Sequence, residues 1–290
     1  MQLAVSEVAT RAAVSVAGRL GVACTDPIVL ADGANVIVRL RPSPVVAKVA
    51  ASTPSVRANN SAWLQRELDM ATYLAQAGIP VVSPSDEVPA TVHQGDGHAM
   101  SFWSYLKPSG QGPADEATAG SMLRDLHAAL RSYPDPGPFL APLGDIPAFL
   151  ARPQTLLSAA DVSVLTEAFR SLTEDLEPAS WPSQVLHGDA GVLNLMGTDG
   201  GWTWHDFEDT GTGPVAWDLA ASTASPRLDR ASILAAYGEP VDAALLRTCE
   251  RLRRLHLTIW YALYAERLPE CRQRATELLA EWRSASGHWC

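Results

Sequence analysis

Hydrophobic and polar positions in the first hundred residues follow two periods. Residues 5–20 carry an apolar stripe broken by Glu7, Arg11 and Arg19, which predicts an amphipathic opening helix. Three short β-branched runs come next, Pro27–Leu30, Asn35–Leu40 and Val45–Ala50, separated by the turns Ala31–Ala34 and Arg41–Pro44. Runs of this kind bounded by Gly and Pro predict a strand meander. From Asn60 to Gln76 the apolar positions Trp63, Leu64, Leu68, Met70, Ala71 and Leu74 recur at helical spacing. Asn59, Asn60 or Ser61 can cap that helix, and Gly78 and Pro80 stop it. Weaker strands are predicted near 88–93 and 99–106, around the turn Gly95-Asp96-Gly97.

Beyond Gly110 the texture turns helical. Met122, Leu123, Leu126 and Leu130 form one stripe within 114–132, and a Pro-rich connection runs from Pro134 to Pro147. Helical patterns recur at 159–177, 214–224, 229–237, 241–267 and 270–285. The order predicts an α+β fold with segregated layers and two lobes. Residues 1–102 form a small antiparallel sheet with one main helix, and residues 103–290 a larger, mostly α-helical lobe.

Composition narrows the function classes. Of 290 residues, 47% are hydrophobic and 19% charged, which excludes a disordered chain. No apolar run is long enough for a transmembrane helix, and the interrupted N-terminal stripe lacks the basic start of a secretory signal, so a cytoplasmic protein without a membrane partner is expected. The net charge of −10 argues against a nucleic-acid partner. The acidity is concentrated: residues 101–244 hold 7 basic and 19 acidic side chains, net −12. Only two lysines occur, Lys48 and Lys107. The four cysteines, at 24, 249, 271 and 290, have no metal-site spacing and read as reduced thiols.

The chemistry-bearing stretch is Val185-Leu-His-Gly-Asp-Ala-Gly-Val-Leu-Asn-Leu-Met196, followed by Trp202-Thr-Trp-His-Asp-Phe-Glu208. Asp189 follows a strand-like run, Asn194 lies five residues on, and Asp206 follows a third short run. Two short strands would bring all three to neighbouring ends of one hairpin. Two carboxylates and one amide oxygen are hard ligands suited to Mg²⁺. A carboxylate off the metal can orient a hydroxyl and accept its proton late in a transfer.

His187-Gly-Asp189 with Asn194 resembles the catalytic loop of the aminoglycoside phosphotransferase family, small-molecule relatives of protein kinases. Asp206-Phe-Glu208 resembles that family's metal-binding segment, and Gly213-Pro-Val-Ala-Trp-Asp-Leu-Ala220 the segment after it, whose Asp218 would steady the catalytic loop. Leu123-Arg-Asp-Leu-His127 resembles the family's leucine-histidine helix, and the likeness runs from about residue 27 to 225. It implies ATP or GTP as co-substrate with Mg²⁺, Asp189 as the catalytic residue, and Asn194 and Asp206 as metal ligands. Lys48 in the third strand would be the phosphate-gripping lysine and Glu67 its ion-pair partner. Ser101-Phe-Trp-Ser-Tyr-Leu106 resembles the hinge, where backbone groups of Ser104, Tyr105 and Leu106 would meet the adenine edge. The chain departs from the pattern at two places: the first turn has one glycine, Gly33, and Gly191 stands where many relatives carry a second histidine.

His127 and His187 read as structural, and His205 as non-catalytic. Arg247, Arg251, Arg253 and Arg254 read as a solvated or salt-bridged helix face or the fringe of an anionic site. Trp260, Tyr261 and Tyr264 read as core or as a cleft wall. A small hydroxylated acceptor is expected, and the acidic middle of the chain, with Asp209, points to a cationic one such as an aminoglycoside or amino sugar. Sugars, choline-like alcohols, homoserine and macrolides stay open, as does the oligomeric state. A nucleotide-binding pseudo-enzyme is disfavoured by the joint presence of Lys48, Glu67, Asp189, Asn194 and Asp206. A protein kinase is disfavoured by the short distance from Asp206 to Asp218 and by Asp-Phe-Glu in place of Asp-Phe-Gly.

Overall fold

The computed structural model describes residues 4–174, 176 and 180–285. Cys290, and residues 175 and 177 of one expected helix, lie outside the described residues. The fold is α+β, with an antiparallel sheet early in the chain and helices after it. The chain divides into two compact units, one of residues 1–114 with 193–209, the other of 115–192 with 210–290.

In the first unit, strands β1 (Cys24–Asp32), β2 (Asn35–Pro42), β3 (Val45–Ala50), β4 (His93–Gly95) and β5 (His98–Ser104) form an antiparallel sheet in the order β1-β2-β3-β5-β4. The meander 27–50 is therefore present. The strand expected at 88–93 is shifted, because Thr91 closes a tight turn on the Pro89 carbonyl and pairing starts only at His93. The β4–β5 hairpin turns on Asp96 and Gly97, both at positive φ, as the two-residue Asp-Gly turn requires. Helix α1 (Val5–Arg19) buries Ala9, Ala12, Ala13, Val16 and Ala17 on the sheet face formed by Val36, Val38, Leu40, Val45, Ala47 and Val49. Helix α2 (Asn60–Gln76) is capped by the Asn59 side chain, which accepts from the Ala62 N–H. Its Leu68 and Ala71 pack on the opposite face with Ile37, Val46 and Trp103. Central strand β3 is consequently buried at all six positions, and strand alternation puts Lys48 on the same face as Val46, toward α2.

Strands β7 (Leu195–Thr198) and β8 (Gly201–Trp204) form a hairpin stitched to this unit on both sides. Pro80 O and Trp204 O accept from the Trp204 and Val82 amides, at 2.9 and 2.8 Å, and Gly197 O accepts from the Ser109 amide at 2.9 Å. Asn194 and Asp206 flank the hairpin, and the His205 amide donates to Asn194 O. The expectation that Asp189 shares this hairpin is corrected: the run before it, β6 (Gln184–Leu186), pairs instead with β9 (Gly211–Gly213) in the second unit.

The second unit is built from α3 (Glu116–Leu130), α4 (Asp145–Leu150), α5 (Ala159–Glu174), α6 (Ala216–Ser222), α7 (Arg230–Tyr237), α8 (Ala243–Ala265) and α9 (Arg272–Ser284). Helices α4, α5, α6 and α9 all pack against α8, whose Leu252, Leu255, Ile259 and Leu263 are core residues. Helices α3 and α7 cross at Gly120, where a Cβ would lie 2.4 Å from the Ile233 carbonyl oxygen, so any larger residue would force them apart. Helix α4 sits inside the Pro-rich connection, which accommodates it because Pro147 falls in its first turn.

One ion pair ties the last helix down and sets an acid limit. Asp161 forms a capping box with Ser158 and receives both Nε and Nη2 of Arg283, at 2.6 and 2.9 Å. The Arg283 hydrogen bonds outweigh the cost of burial and hold the Asp161 carboxyl at about 2, below its ordinary 3.8. A depressed folded-state value stabilises above pH 3.8 and is lost as pH falls toward 2. Asp161→Asn is expected to cost about 2 kcal/mol at pH 7 and progressively less below pH 4, read as urea midpoints of both proteins at pH 7 and pH 3.

Candidate active site

The first unit gathers its candidate residues around Lys48. Its Nζ lies 2.9 and 2.8 Å from the two Glu67 oxygens, 2.5 Å from Asp206 Oδ1 and 3.0 Å from Glu208 Oε2. Lys48 is 5% exposed and Glu67 2%, so this is no edge-strand lysine and no solvated helix face. Asp69, one turn end away, faces solvent and pairs with Gln65. Asp206 follows β8 at φ +66°, the left-handed region that Asp tolerates better than most residues, and its side chain is 46% exposed.

Two more side chains, Arg57 and Asn35, lock the segment after Asp206, and sequence spacing gave no sign of either contact. Arg57, in the loop between β3 and α2, donates to Glu208 Oε1 at 2.9 Å and Asp209 Oδ1 at 2.7 Å, with its guanidinium 3.7 Å over the Trp63 ring. Asn35, at the start of β2, donates from Nδ2 to Glu208 Oε2 at 2.6 Å. Glu208 is thus buried among Lys48, Arg57 and Asn35, although only its place in the motif was visible in the sequence. Asp209, read as facing the acceptor, is an Arg57 partner.

Charge balance defines what this cluster can do. Burial alone would lower the Lys48 ammonium, but Asp206, Glu67 and Glu208 outweigh it and hold it well above the ordinary lysine range. Burial pushes the Glu67 carboxyl up to about 8, with Lys48 opposing and Asp206 and Glu208 adding to the rise. Two cations, Lys48 and Arg57, face four carboxyl groups, those of Glu67, Asp206, Glu208 and Asp209. The Glu67, Asp206 and Glu208 oxygens lie within 4.8 Å of one another, a hard-donor set with negative charge to spare, which fits a divalent cation.

The hinge candidates end β5. The Ser104 amide donates to Ser83 O at 3.0 Å and the Tyr105 amide to Pro44 O at 2.8 Å. Among the described residues, no backbone group accepts from the Leu106 amide. The Tyr105 ring lies beneath the Arg39 guanidinium, 3.6 Å from its centroid.

In the second unit, the loop His187–Asp189 is held from beneath. Asp218, fully buried on α6, accepts from the amides of His187 at 2.8 Å and Gly188 at 2.9 Å. Its Oδ2 also meets His127 Nε2 at 3.0 Å, and His127 Nδ1 meets the Tyr237 hydroxyl at 2.9 Å. Neutral His127 satisfies both contacts when Tyr237 donates to Nδ1 and Nε2–H donates to Asp218. Burial alone would raise the Asp218 carboxyl; the bond from His127 and the nearby imidazoles and amides hold it below its usual range. Gly188 has φ +87°, a conformation that lets both amides turn toward Asp218 and that side chains rarely adopt. The Gly188 carbonyl accepts from Trp217 Nε1 at 2.7 Å and Arg253 Nη1 at 2.9 Å. Asp189 itself is partly exposed, receives Arg253 Nη2 at Oδ1, and has its amide directed at His187 Nδ1.

Arg253 therefore belongs to the loop, whereas its neighbour Arg254 is a surface partner of Glu281. Trp260 is buried and donates to His256 Nε2, with the Tyr264 ring tilted beside it at 5.5 Å, so this aromatic group is core at Trp260. Among the described residues Cys24, Cys249 and Cys271 are free thiols, and burial pushes Cys249 up to about 12. No helix among them is long and apolar enough to cross a membrane.

The family model described as the phosphotransferase enzyme family matches residues 30–253. Among solved structures, a microcompartment-associated aminopropanol kinase is 20% identical with a TM-score of 0.69, covering 95% of this chain and 97% of its own. A choline kinase from Streptococcus pneumoniae is 15% identical with a TM-score of 0.65, covering 93% and 98%. An aminoglycoside-3'-phosphotransferase of type VIII is 18% identical with a TM-score of 0.61, covering 86% and 99%. At these identities the likeness is one of fold. No curated protein sequence matches significantly.

Proposed function

The chain belongs to the phosphotransferase enzyme family and is a small-molecule kinase; on that footing we propose that it transfers the γ-phosphoryl group of ATP to a hydroxyl of a cationic small molecule, an aminoglycoside or amino sugar being the leading class. The observation that carries this reading is the buried Lys48–Glu67 pair beside Asp206. A lysine so charged and so fixed is a point charge for phosphate oxygens. Asn194 and Asp206 are the residues that would hold Mg²⁺, with Glu67 and Glu208 at its border. The bound cation would supply charge neutralisation on the transferring phosphoryl group. Asp189 orients the acceptor hydroxyl and takes its proton as the oxygen–phosphorus bond forms. Asp218 and His127 keep the loop in the conformation that presents Asp189. Phosphoryl transfer depends on positioning and electrostatics more than on covalent chemistry, and both clusters supply these.

Two observations support a cationic acceptor. Residues 101–244 carry net −12, and the substrates named for three similar structures, aminopropanol, choline and an aminoglycoside, each combine a hydroxyl with a basic or quaternary nitrogen. Matched pairs test this: glucosamine against glucose, and ethanolamine against ethylene glycol, as ADP release from Mg·ATP and from Mg·GTP at low and high salt. The amino member of a pair is expected to react with the lower KM, and added salt to narrow the gap. Equal KM values at both salt concentrations would remove the cationic acceptor and leave a neutral hydroxylated metabolite.

A further inference from the structure

Arg253 is out of place as a surface charge. It lies four residues after Cys249 and three before His256 on α8, on the stripe that faces the interior of the second unit. Its side chain is only 16% exposed, and its guanidinium lies 5.1 Å from the Trp217 ring centroid. The planar fork is used twice on adjacent acceptors of one loop, the Gly188 carbonyl and the Asp189 carboxylate. A lone exposed ion pair fixes little, but a fork gripping a carbonyl and a carboxylate at once fixes the side chain between them. Trp217, which donates to the same carbonyl, supports the fork from beneath.

We propose that Arg253 is a positioning residue for phosphoryl transfer, acting through Asp189, a role that rests on the function proposed above. By holding Oδ1, Arg253 sets the Asp189 rotamer and directs Oδ2 to the acceptor hydroxyl. In the step so arranged, the acceptor oxygen forms its bond to the γ-phosphorus as the bond to the β-bridging oxygen breaks. The electron pair leaves with ADP, and the hydroxyl proton passes to the Asp189 carboxylate. The Arg253 guanidinium keeps its own protons throughout.

The test is a double-mutant cycle on the intact chain, with variants Arg253→Met, Arg253→Lys, Arg253→Ala, Asp189→Asn and the double variant Arg253→Met/Asp189→Asn. Turnover is read as ADP release from Mg·ATP, with kanamycin and with water as acceptor, next to nucleotide affinity and Tm. Arg253→Met is expected to lower kcat about tenfold to a hundredfold with nucleotide affinity and Tm nearly unchanged. Arg253→Lys is expected to recover part of the loss, and millimolar guanidinium ion to restore part of the activity of Arg253→Ala. In the Asp189→Asn background Arg253→Met is expected to add no further loss, because the two residues act as one unit. Equal losses in both backgrounds, an unchanged kcat, or a loss that tracks Tm without rescue would overturn the role of Arg253. Asp189→Asn with near wild-type turnover would instead overturn the function on which it rests.

Discussion

Replacing Asp189 by asparagine is expected to lower kcat by about 10²–10⁴-fold, the usual contribution of a positioned proton acceptor. Nucleotide affinity should stay within about threefold, because the Lys48 cluster forms in the first unit from residues of that unit alone. The fold should survive as well. The loop is held through backbone atoms of His187 and Gly188, by Asp218, Trp217 and Arg253; the one bond that uses the Asp189 carboxylate, from Arg253 to Oδ1, meets an oxygen that asparagine keeps. Single-turnover kinetics with Mg·ATP, paired with equilibrium nucleotide titration, separates the two quantities. A variant that binds nucleotide and turns over like the wild type would remove Asp189 from the chemistry.

Asp218→Ala is expected to strike stability and activity together. The buried carboxylate answers two backbone amides and one imidazole. Removing one partner of a buried charged network leaves the others unsatisfied, at a cost of about 3–5 kcal/mol. For a chain of this size that lowers Tm by about 10 °C. Because Asp218 is held below its usual range, its contribution is complete at neutral pH and fades as pH falls below the ordinary carboxylate value. Asp218→Asn keeps the shape and one acceptor oxygen, so it should recover part of the Tm but little of the turnover. Calorimetry on both variants would reveal the order; an alanine variant as stable as the asparagine variant would deny Asp218 its role as acceptor for the loop.

How much of this was legible in the sequence follows from the distance over which each signal acts. Local periodicity located α1, α2, α3 and the strand meander within a few residues, and the apolar run Val45–Ala50 already set Lys48 apart between apolar neighbours. The ordered motifs from His187 to Asp218 pointed to the family that matches residues 30–253. Partners from far along the chain were not legible. Arg57 meets Glu208 across 151 positions, and Arg253 meets Asp189 across 64. Nothing in the local spacing distinguishes these arginines from solvated ones, and Arg253 read like its neighbour Arg254, which does lie at the surface. The same limit misplaced Asp189 on the β7–β8 hairpin, since the partner of β6 begins only at Gly211. Proline misled in two directions. Pro147 concealed α4 in a segment read as a connection, and the strand expected at 88–93 gave way to a turn at Pro89.

Transfer of the phosphoryl group is read directly at the phosphorus. Wild-type protein, Mg·ATP and a mixture of amino alcohols, amino sugars and aminoglycosides are observed by ³¹P NMR until the nucleotide signals change. A new phosphomonoester resonance is expected to grow in step with ADP, absent without protein and nearly absent with Asp189→Asn. Nucleotide left unbound and unchanged, or ADP accompanied only by inorganic phosphate at every acceptor concentration, would contradict the proposed transfer.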